Sequence, residues 1–338
     1  MTKKIENKKE KLLVIGNGMS ALRTIEEILN YDKEKYEIEI FGEEPHVNYN
    51  RIMLSYLLSG EKTFDDTIIN HATWYEEHSI KLHTGNKIHS IDSKTKRILC
   101  SLGNEVSYDK LLIATGSLPF IPKTQGEELE NVIGFRNKKD VDTIIDTISK
   151  DKTAVVVGGG LLGLEAAYGI AMHGIKTILV HRSANLMSQQ LDSTAGKLLQ
   201  KNLEQYGIEF KLNDTISAIK GSTNVESVEF TNGGSVESNL VVFATGIKPN
   251  IEVAKEAQLA TQKGILVDDF LETSDKSIFA IGECCEHNGK TFGLVAPLYE
   301  QAKVLAKSLA GIKTEGYTPT VTATRLKVSG VDLFSAGD

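Results

Sequence analysis

The sequence predicts an α/β fold in which one architecture occurs twice. Residues 12–21 read LLVIGNGMSA, and residues 154–163 read AVVVGGGLLG. Each is an apolar, β-branched run followed by a G-x-G-x-x-G/A turn and a helix-forming stretch, the pattern of a Rossmann-like unit. Each half later reaches a buried strand that ends in Ala-Thr-Gly, at residues 114–116 and 244–246. We therefore predict two Rossmann-like domains in one α/β chain.

Composition places the chain among globular proteins and argues against several classes of partner. Of its 338 residues, 41% are hydrophobic and 25% are charged, and the formal net charge is −7. A negative balance disfavours nucleic acid and anionic membranes, and no apolar run approaches the about 20 residues of a membrane helix. Three cysteines without C-x-x-C spacing predict a reducing compartment and no disulfide framework. We therefore expect a cytoplasmic protein.

The two glycine turns predict two bound dinucleotides. Glycine permits the tight turn and lets the backbone approach a pyrophosphate, which then lies at the positive end of the following helix. A single match of this kind is a weak signal, whereas two matches in a strand–turn–helix context are a strong one. A chain that holds two dinucleotides usually passes a hydride between them, so the pattern favours an oxidoreductase.

An acidic pair follows the second predicted strand of the first half, Glu37–Phe41. A carboxylate at this point can accept hydrogen bonds from an adenosine ribose. Glu43 is our candidate for this role, with Glu44 in reserve. The alternative is a solvated turn that carries two surface acids.

A third landmark lies in the C-terminal half. Residues 277–283 read SIFAIGE, a short buried strand that ends in glycine and an acid. Gly293–Pro297 then opens a predicted helix that extends to about Leu309, with proline in the first turn, where its missing N–H loses no hydrogen bond. The N–H groups at such a helix start can face an electron-rich edge of a ligand.

In this order, the motifs resemble those of the flavoprotein reductases with two dinucleotide-binding domains, such as ferredoxin and rubredoxin reductases and NADH oxidases. The resemblance covers nearly the whole chain. Residues 41–51 (FGEEPHVNYNR), 282–287 (GECCEH) and 294–302 (LVAPLYEQA) more narrowly resemble the N-terminal flavin portion of the NAD(P)H-dependent nitrite reductase large subunit.

The resemblance implies two cofactors, with FAD on the first and third landmarks and NAD(P)H in the second half. The expected FAD residues are Gly16, Gly18, Met19, Ser20, Ala21, Glu43, Glu44, Arg51, Ala114, Thr115, Gly116, Gly282, Glu283, Val295, Ala296 and Pro297. The expected NAD(P)H residues are Gly158, Gly160, Leu161, Leu162, Gly163, His181, Arg182, Thr245 and Gly246. Glu283 stands where the family usually has aspartate, which keeps an acceptor for the ribityl hydroxyls and lengthens its arm by a methylene.

Two residues bear on the chemistry that the resemblance implies. It places Glu165 beside the nicotinamide as the candidate catalytic residue, whereas the alternative is a first-turn acid favoured by the helix dipole. The lysine that related reductases pair with this glutamate is absent, because Tyr56 follows Leu54-Ser55. Tyr56 also takes the place of the redox cysteine of NADH oxidases and peroxidases, and tyrosine cannot replace a thiolate.

The remaining cysteine pair and aromatic pair are expected to serve packing. Cys284 and Cys285 are adjacent, so we expect them to pack or to touch the flavin edge and to form no metal site. Trp74 and Tyr75 are expected to be packing residues. Without a thiol relay, electrons from the flavin must leave to another chain or module, and the resemblance implies that the acceptor there is an iron–sulfur centre or sirohaem.

The choice of nicotinamide nucleotide depends on the end of the second strand of the second half. This strand, Lys176–Val180, is followed by His181 and Arg182 where an NAD-specific site has an acid. The pair removes the acid and offers positive charge, so a 2′-phosphate is permitted. Arg182 as an ordinary surface residue is the alternative, and we write the donor as NAD(P)H.

The resemblance implies two interleaved Rossmann-like domains followed by the start of a small C-terminal α+β interface domain. The FAD-binding domain is expected from residues 1–120 and 248–312, an inserted NAD(P)H-binding domain at 121–247, and an incomplete interface segment at 313–338. The strand-like runs in that segment need a third strand or a partner surface. The expected function is an FAD-dependent NAD(P)H oxidoreductase, the diaphorase part of a nitrite reductase large subunit, with a homodimer left open. The alternatives are a stand-alone rubredoxin or ferredoxin reductase and a non-catalytic NAD(P)H-sensing flavoprotein.

Overall fold

The computed structural model describes residues 9–148, 151–320, 323–328 and 331–336. Within these residues, the α-helices are α1 (Met19–Tyr31), α2 (Leu54–Leu58), α3 (Ala72–Glu77), α4 (Lys138–Thr147), α5 (Leu161–Ala171), α6 (Ser193–Glu204), α7 (Glu252–Glu256) and α8 (Val295–Leu309). The strands are β1 (Glu10–Ile15), β2 (Tyr36–Phe41), β3 (Lys81–His83), β4 (Ile88–Asp92), β5 (Arg97–Cys100), β6 (Glu105–Ser107), β7 (Lys110–Ile113), β8 (Ser117–Pro119), β9 (Val132–Gly134), β10 (Thr153–Val157), β11 (Lys176–His181), β12 (Ile208–Leu212), β13 (Ile216–Lys220), β14 (Ser227–Phe230), β15 (Ser235–Phe243), β16 (Ile247–Pro249), β17 (Ile265–Val267), β18 (Ile278–Ala280), β19 (Cys285–His287), β20 (Lys290–Thr291), β21 (Ala323–Val328) and β22 (Val331–Ala336).

The chain folds into two compact units. The first takes its described residues from the ranges 1–49, 68–117 and 248–320, and the second from 50–67, 118–247 and 321–338. These ranges differ from the boundaries expected from the sequence in two places. Residues 50–67 cluster with the second unit, and the described part of 313–338 divides between the units after residue 320. Within the second unit, His173 Nε2 lies 2.6 Å from the Leu58 carbonyl oxygen, and Gly169 leaves the space that the Leu58 side chain fills.

The first unit is built on a parallel five-stranded sheet in the order β18-β7-β1-β2-β3. The central strand is apolar and buried, and its Leu13 pairs with Glu39 of β2 and Leu111 of β7. Helices α1 and α8 pack against each other, and the core includes Leu22 and Leu305, each at most 1% exposed. Burial on both faces explains the continuous apolar runs in β1, β7 and β18.

The second unit repeats this plan around a different central strand. Its sheet has the order β12-β11-β10-β15-β14-β13, with β9 also paired to β15. The strands β12, β11, β10, β15 and β9 are parallel, whereas β14 and β13 are antiparallel additions. Helix α5 is buried from Gly163 to Ala171, so it forms part of the core of this unit.

Each main sheet has one point at which the strand order reverses. In the first unit β1 lies between β2 and β7, and in the second unit β10 lies between β11 and β15. Ligands of open α/β sheets bind at the carboxyl ends of the strands at such a switch point. The two glycine turns follow β1 and β10, so both lie at the ends that favour a ligand.

The C-terminal strands β21 and β22 form an antiparallel ribbon. The described part of this ribbon belongs to a two-stranded sheet, and β21 contacts α5 of the same unit. Leu326 is buried, whereas Phe334 is 68% exposed. None of the helices in the described ranges is long and apolar enough to cross a membrane.

Candidate functional site

The first glycine turn brings two strand ends together at the switch point of the first unit. Gly16 has a φ of +110°, and its N–H donates to the Phe41 carbonyl at 2.8 Å. A Cβ on Gly16 would lie 2.2 Å from the Ala114 carbonyl oxygen. Only glycine therefore fits at this position without a shift of the backbone.

The same turn leaves its backbone open where the helix begins. Gly18 is the N-cap of α1, no side chain caps this helix, and a Cβ on Gly18 would meet nothing within 4 Å. Met19, Ser20 and Ala21 follow as the first helical residues, and the last two are buried. Uncapped N–H groups beside open space suit a pyrophosphate, because hydrogen bonding and the helix dipole both favour an anion there.

The second glycine turn repeats this geometry in the second unit. Gly158 has a φ of +121°, and a Cβ there would lie 2.4 Å from the Ala244 carbonyl oxygen. Gly160 is the uncapped N-cap of α5, with nothing within 4 Å of an added Cβ. A Cβ on Gly163 would lie 1.9 Å from the Gly158 carbonyl oxygen, so the third glycine is required for close helix–strand packing.

The two Ala-Thr-Gly segments are also held in the same way. Thr115 Oγ1 donates to the Asn250 carbonyl at 2.7 Å, and the Asn250 N–H donates to the carbonyl of the following glycine at 2.9 Å. In the second unit Thr245 Oγ1 donates to the Phe120 carbonyl at 2.6 Å, and the Phe120 N–H donates to the carbonyl of the next glycine at 2.9 Å. The duplication therefore extends from the turns to the strands beside them.

The acidic pair after β2 is held unequally. Lys87 Nζ donates to Glu43 Oε1 at 3.1 Å, and both side chains are more than half exposed, so this ion pair fixes the carboxylate weakly. Tyr49 Oη donates to Glu44 Oε2 at 2.7 Å, and Tyr49 is buried. The direction of the Glu44 carboxylate is therefore better defined than that of Glu43.

The third landmark meets the first glycine turn within the first unit. Gly282 has a φ of +92°, and a Cβ there would lie 2.7 Å from Ser20 Oγ at the start of α1. The Gly282 N–H donates to Gln301 Oε1 at 3.0 Å. The next residue, Glu283, accepts a hydrogen bond from Ser117 Oγ at 2.7 Å. The structure thus brings together two sequence landmarks that lie more than 260 residues apart.

Helix α8 begins beside this landmark and contributes a residue that sequence reasoning missed. No side chain caps the helix, and its first residues are Val295, Ala296 and Pro297. Gln301 lies on the buried face of α8, is fully buried and holds the Gly282 backbone. The signal in the sequence was a glutamine at an apolar position of the helical period, between Leu298 and Leu305.

His181 contacts the second glycine turn directly. The Gly159 N–H donates to His181 Nδ1 at 3.0 Å, and a Cβ on Gly159 would lie 2.6 Å from the imidazole ring. Burial lowers the pKa of His181, and the neighbouring Arg182 lowers it further. Because an accepting Nδ1 carries no proton, this histidine is neutral, and the exposed Arg182 is the member of the pair that carries charge.

Glu165 and Arg51 both lie in the second unit. Glu165 is only 4% exposed, and the first turn of α5 contains no acidic residue. The helix-dipole alternative for Glu165 therefore does not apply. Arg51 begins a short 3-10 helix that leads into α2, and its Nη1 donates to the Arg136 carbonyl at 3.1 Å. Tyr56 is half-buried on α2 itself.

The adjacent cysteines are free thiols inside the first unit. Cys284 and Cys285 are fully buried, and burial raises the pKa of each thiol. Cys284 Sγ donates to the Ile281 carbonyl and Cys285 Sγ to the Gly282 carbonyl, both at 3.2 Å. Protonated, buried thiols are poor nucleophiles, which agrees with a packing role.

Two switch-point turns with open, uncapped helix starts define a protein that binds two dinucleotides. The profile of the pyridine nucleotide-disulphide oxidoreductase family matches residues 10–307. The chain belongs to this family. It is an oxidoreductase that uses FAD and NAD(P)H, and the two cradles described above fit two such nucleotides.

Relatives with this fold include two proteins of Bacillus subtilis (strain 168). The chain is 46% identical over 330 residues to its NAD(P)H nitrite reductase, which covers 98% of this chain and 41% of that protein. It is 44% identical over 330 residues to the assimilatory nitrate reductase electron transfer subunit, which covers 98% of this chain and 43% of the subunit. The chain thus spans less than half the length of both relatives.

A solved structure supports the same architecture. The NADH:rubredoxin oxidoreductase from Clostridium acetobutylicum superimposes with a TM-score of 0.78 at 28% sequence identity. The match covers 96% of this chain and 81% of that one. The prediction of an α/β fold with two Rossmann-like domains is confirmed.

Proposed function

We propose that this chain is the diaphorase part of a nitrite reductase large subunit and passes electrons from NAD(P)H, through FAD, to an iron–sulfur or haem acceptor. The observation that carries the proposal is the duplicated switch-point turn, with Gly16 against Ala114 and Gly158 against Ala244. The similarity to the two Bacillus subtilis proteins supports the link to nitrite reduction. The three unpaired cysteines support a cytoplasmic location.

The first unit provides the groups that would hold FAD. The turn from Gly16 to Ala21 would bind the pyrophosphate, and Glu43 and Glu44 would accept hydrogen bonds from the adenosine ribose. Glu283, oriented by Ser117, would accept from the ribityl hydroxyls. When bound, the flavin supplies the chemistry that takes up an electron pair as hydride and releases the electrons singly.

Other FAD contacts in the proposal come from backbone and charge. The uncapped start of α8, Val295–Pro297, would place N–H groups at an electron-rich edge of the flavin. The Ala114–Gly116 segment would let the backbone pass close to the cofactor. Arg51 is proposed as an FAD contact on the resemblance alone.

The second unit would hold the pyridine nucleotide. The turn from Gly158 to Gly163 would bind its pyrophosphate, and Thr245–Gly246 would offer a close backbone edge. Arg182 would form the ion pair with a 2′-phosphate, since it is charged whereas the neighbouring histidine is neutral. Glu165, buried in α5, is the candidate carboxylate beside the nicotinamide.

The exit of electrons to a separate acceptor is supported by the side chains at the positions where related enzymes carry a reactive thiol. Tyr56 carries no thiol, and both adjacent cysteines are buried with raised pKa values. The relative named as an electron transfer subunit supports a protein acceptor. The similarity to a rubredoxin oxidoreductase favours a second candidate, a stand-alone rubredoxin reductase.

Steady-state assays with matched acceptors test the proposal. The FAD-loaded chain should oxidise NADH or NADPH with ferricyanide as acceptor, and it should reduce no nitrite. Fast reduction of added rubredoxin would favour the rubredoxin reductase. Tight nucleotide binding without reduction of any acceptor would contradict electron transfer and favour a sensor.

A further inference from the structure

The middle residue of the first glycine turn is held by side chains from elsewhere in its unit. Asn17 Oδ1 accepts a hydrogen bond from Tyr75 Oη at 3.0 Å, and Asn17 Nδ2 donates to the His46 carbonyl at 3.3 Å. The Asn17 carbonyl accepts from Asn48 Nδ2 at 2.9 Å. Every polar group of the Asn17 side chain therefore has a partner outside the turn.

Tyr75 joins two of these segments through one oxygen atom. Its Oη donates to Asn17 and also accepts from the Asn48 N–H at 3.2 Å. Tyr75 is 3% exposed and Asn48 is 1% exposed. Burial raises the pKa of Tyr75 to about 12, so the hydroxyl keeps its proton and remains a donor at neutral pH. We call Asn17, Asn48 and Tyr75 the turn latch.

The turn latch ties the expected pyrophosphate site to the expected ribose site. Asn48 belongs to the loop that follows β2 and carries Glu43 and Glu44. A Cβ on Gly42, at the start of this loop, would lie 3.1 Å from the Asn17 Cβ, so the loop and the turn also pack directly. Movement of the loop would therefore move the turn that faces the pyrophosphate.

We propose that Tyr75 is a positioning residue for FAD, which holds the pyrophosphate-binding turn and the ribose-binding loop as one preformed surface for the ADP half of the cofactor. The inference rests on the proposed FAD site in the first unit. A preformed surface increases affinity because less ordering is required on binding. Tyr75 acts through Asn17 and Asn48 and needs no contact with FAD.

Substitution of Tyr75 by phenylalanine tests the inference. Y75F removes the hydroxyl with its two hydrogen bonds, to Asn17 and from Asn48, and keeps the ring. It should raise the dissociation constants of FAD and of ADP by about fivefold each, within the range of net hydrogen-bond contributions. The kcat with ferricyanide at saturating FAD should not change, because the flavin end is not involved. A purely structural role would not produce this separation between affinity and turnover.

Tyr36 offers a matched control in the same unit. It is also buried, and its Oη donates to the Leu309 carbonyl at 2.7 Å, outside the turn latch. Y36F loses a hydrogen bond of the same kind, but this bond lies outside the turn latch. Y36F should therefore change FAD and ADP affinity by less than about twofold. Equal weakening of FAD binding in Y36F and Y75F would overturn the inference.

A double variant gives a second, independent test. N17A and Y75F remove the same Oδ1–Oη hydrogen bond, so the double variant should weaken FAD binding by less than the product of the two single factors. The inference would be overturned if the losses of FAD affinity in the two single variants multiplied in the double variant, or if Y75F left FAD and ADP affinity unchanged. The proposed function would still stand in either case. Failure of the unsubstituted chain to bind FAD would overturn the proposed function as well.

Discussion

The two glycine turns share their backbone geometry but differ in how the rest of each unit holds them. Gly16 and Gly158 both have a positive φ and both lie against a strand-end carbonyl. The middle residues differ, because Asn17 is bound by the turn latch, whereas Gly159 donates its N–H to His181. The backbone of each glycine turn is therefore set locally, whereas the contacts that hold its middle residue come from side chains distant in sequence.

The variants with the largest expected effect should each strongly weaken binding of one nucleotide and leave binding of the other unchanged. G18V places a side chain in the open space beside the α1 start and should weaken FAD binding by more than about 100-fold, whereas G160V should do the same for NAD(P)H. Neither Cβ meets protein atoms within 4 Å, so the unfolding temperatures should change by less than about 2 °C.

Each variant serves as the control for the other. The dissociation constants of FAD, NADH and NADPH measured on both variants check the prediction. Loss of FAD binding in G160V, or loss of binding of both nucleotides in either variant, would contradict the claim that the two glycine turns bind different nucleotides independently.

A smaller effect should distinguish NADPH from NADH. R182Q removes the positive charge that would pair with the 2′-phosphate of NADPH. The KM for NADPH should therefore rise by about tenfold, while the KM for NADH, which has no 2′-phosphate, should change by less than about twofold. Arg97 is an exposed arginine of the first unit, and R97Q is the matched control. An unchanged KM for NADPH in R182Q would make Arg182 an ordinary surface residue.

The smallest expected effect concerns pH and the anchoring of the second turn. The pKa of His181 is lowered below its ordinary value of 6.5, so the folded state binds this proton less well than the unfolded state. The stabilisation by neutral His181 is therefore present above pH 6.5 and is lost as the pH falls through the lowered pKa.

The free energy of unfolding, measured between pH 7.5 and pH 5, checks this prediction. H181N keeps an acceptor for the Gly159 N–H but does not titrate in this range, so its free energy of unfolding should fall less with pH than that of the unsubstituted chain. Parallel pH profiles of the two proteins would contradict the role given to His181.

Sequence patterns predicted the central strands and the turns because both are local. The expected strand Glu37–Phe41 corresponds to β2, and the helix-forming stretch expected after the first glycine turn corresponds to α1. The switch points follow instead from the strand order of each sheet, in which strands distant in sequence, β7 and β15, pair with β1 and β10. Local patterns could not assign residues 50–67 to their unit, because His173, which lies 2.6 Å from the Leu58 carbonyl, is 115 residues further along the chain.

The anchoring residues were beyond sequence reasoning for a related reason. Tyr75 was expected to be a packing residue, and its ring does pack against Trp74 with centroids 5.2 Å apart. Its hydroxyl, however, bonds Asn17, which is 58 residues away. The neutral state of His181 depends on the burial of its ring and on a hydrogen bond to Gly159, and neither is visible in the residue type.

Hydride transfer from the second site to the flavin can be followed by anaerobic titration of the FAD-loaded chain with NADH and with NADPH. One equivalent of the preferred nucleotide should bleach the flavin absorbance within mixing time, whereas G160V should keep FAD and should not bleach. A flavin that remains bound and oxidised when either nucleotide is added in excess would contradict electron transfer between the two sites.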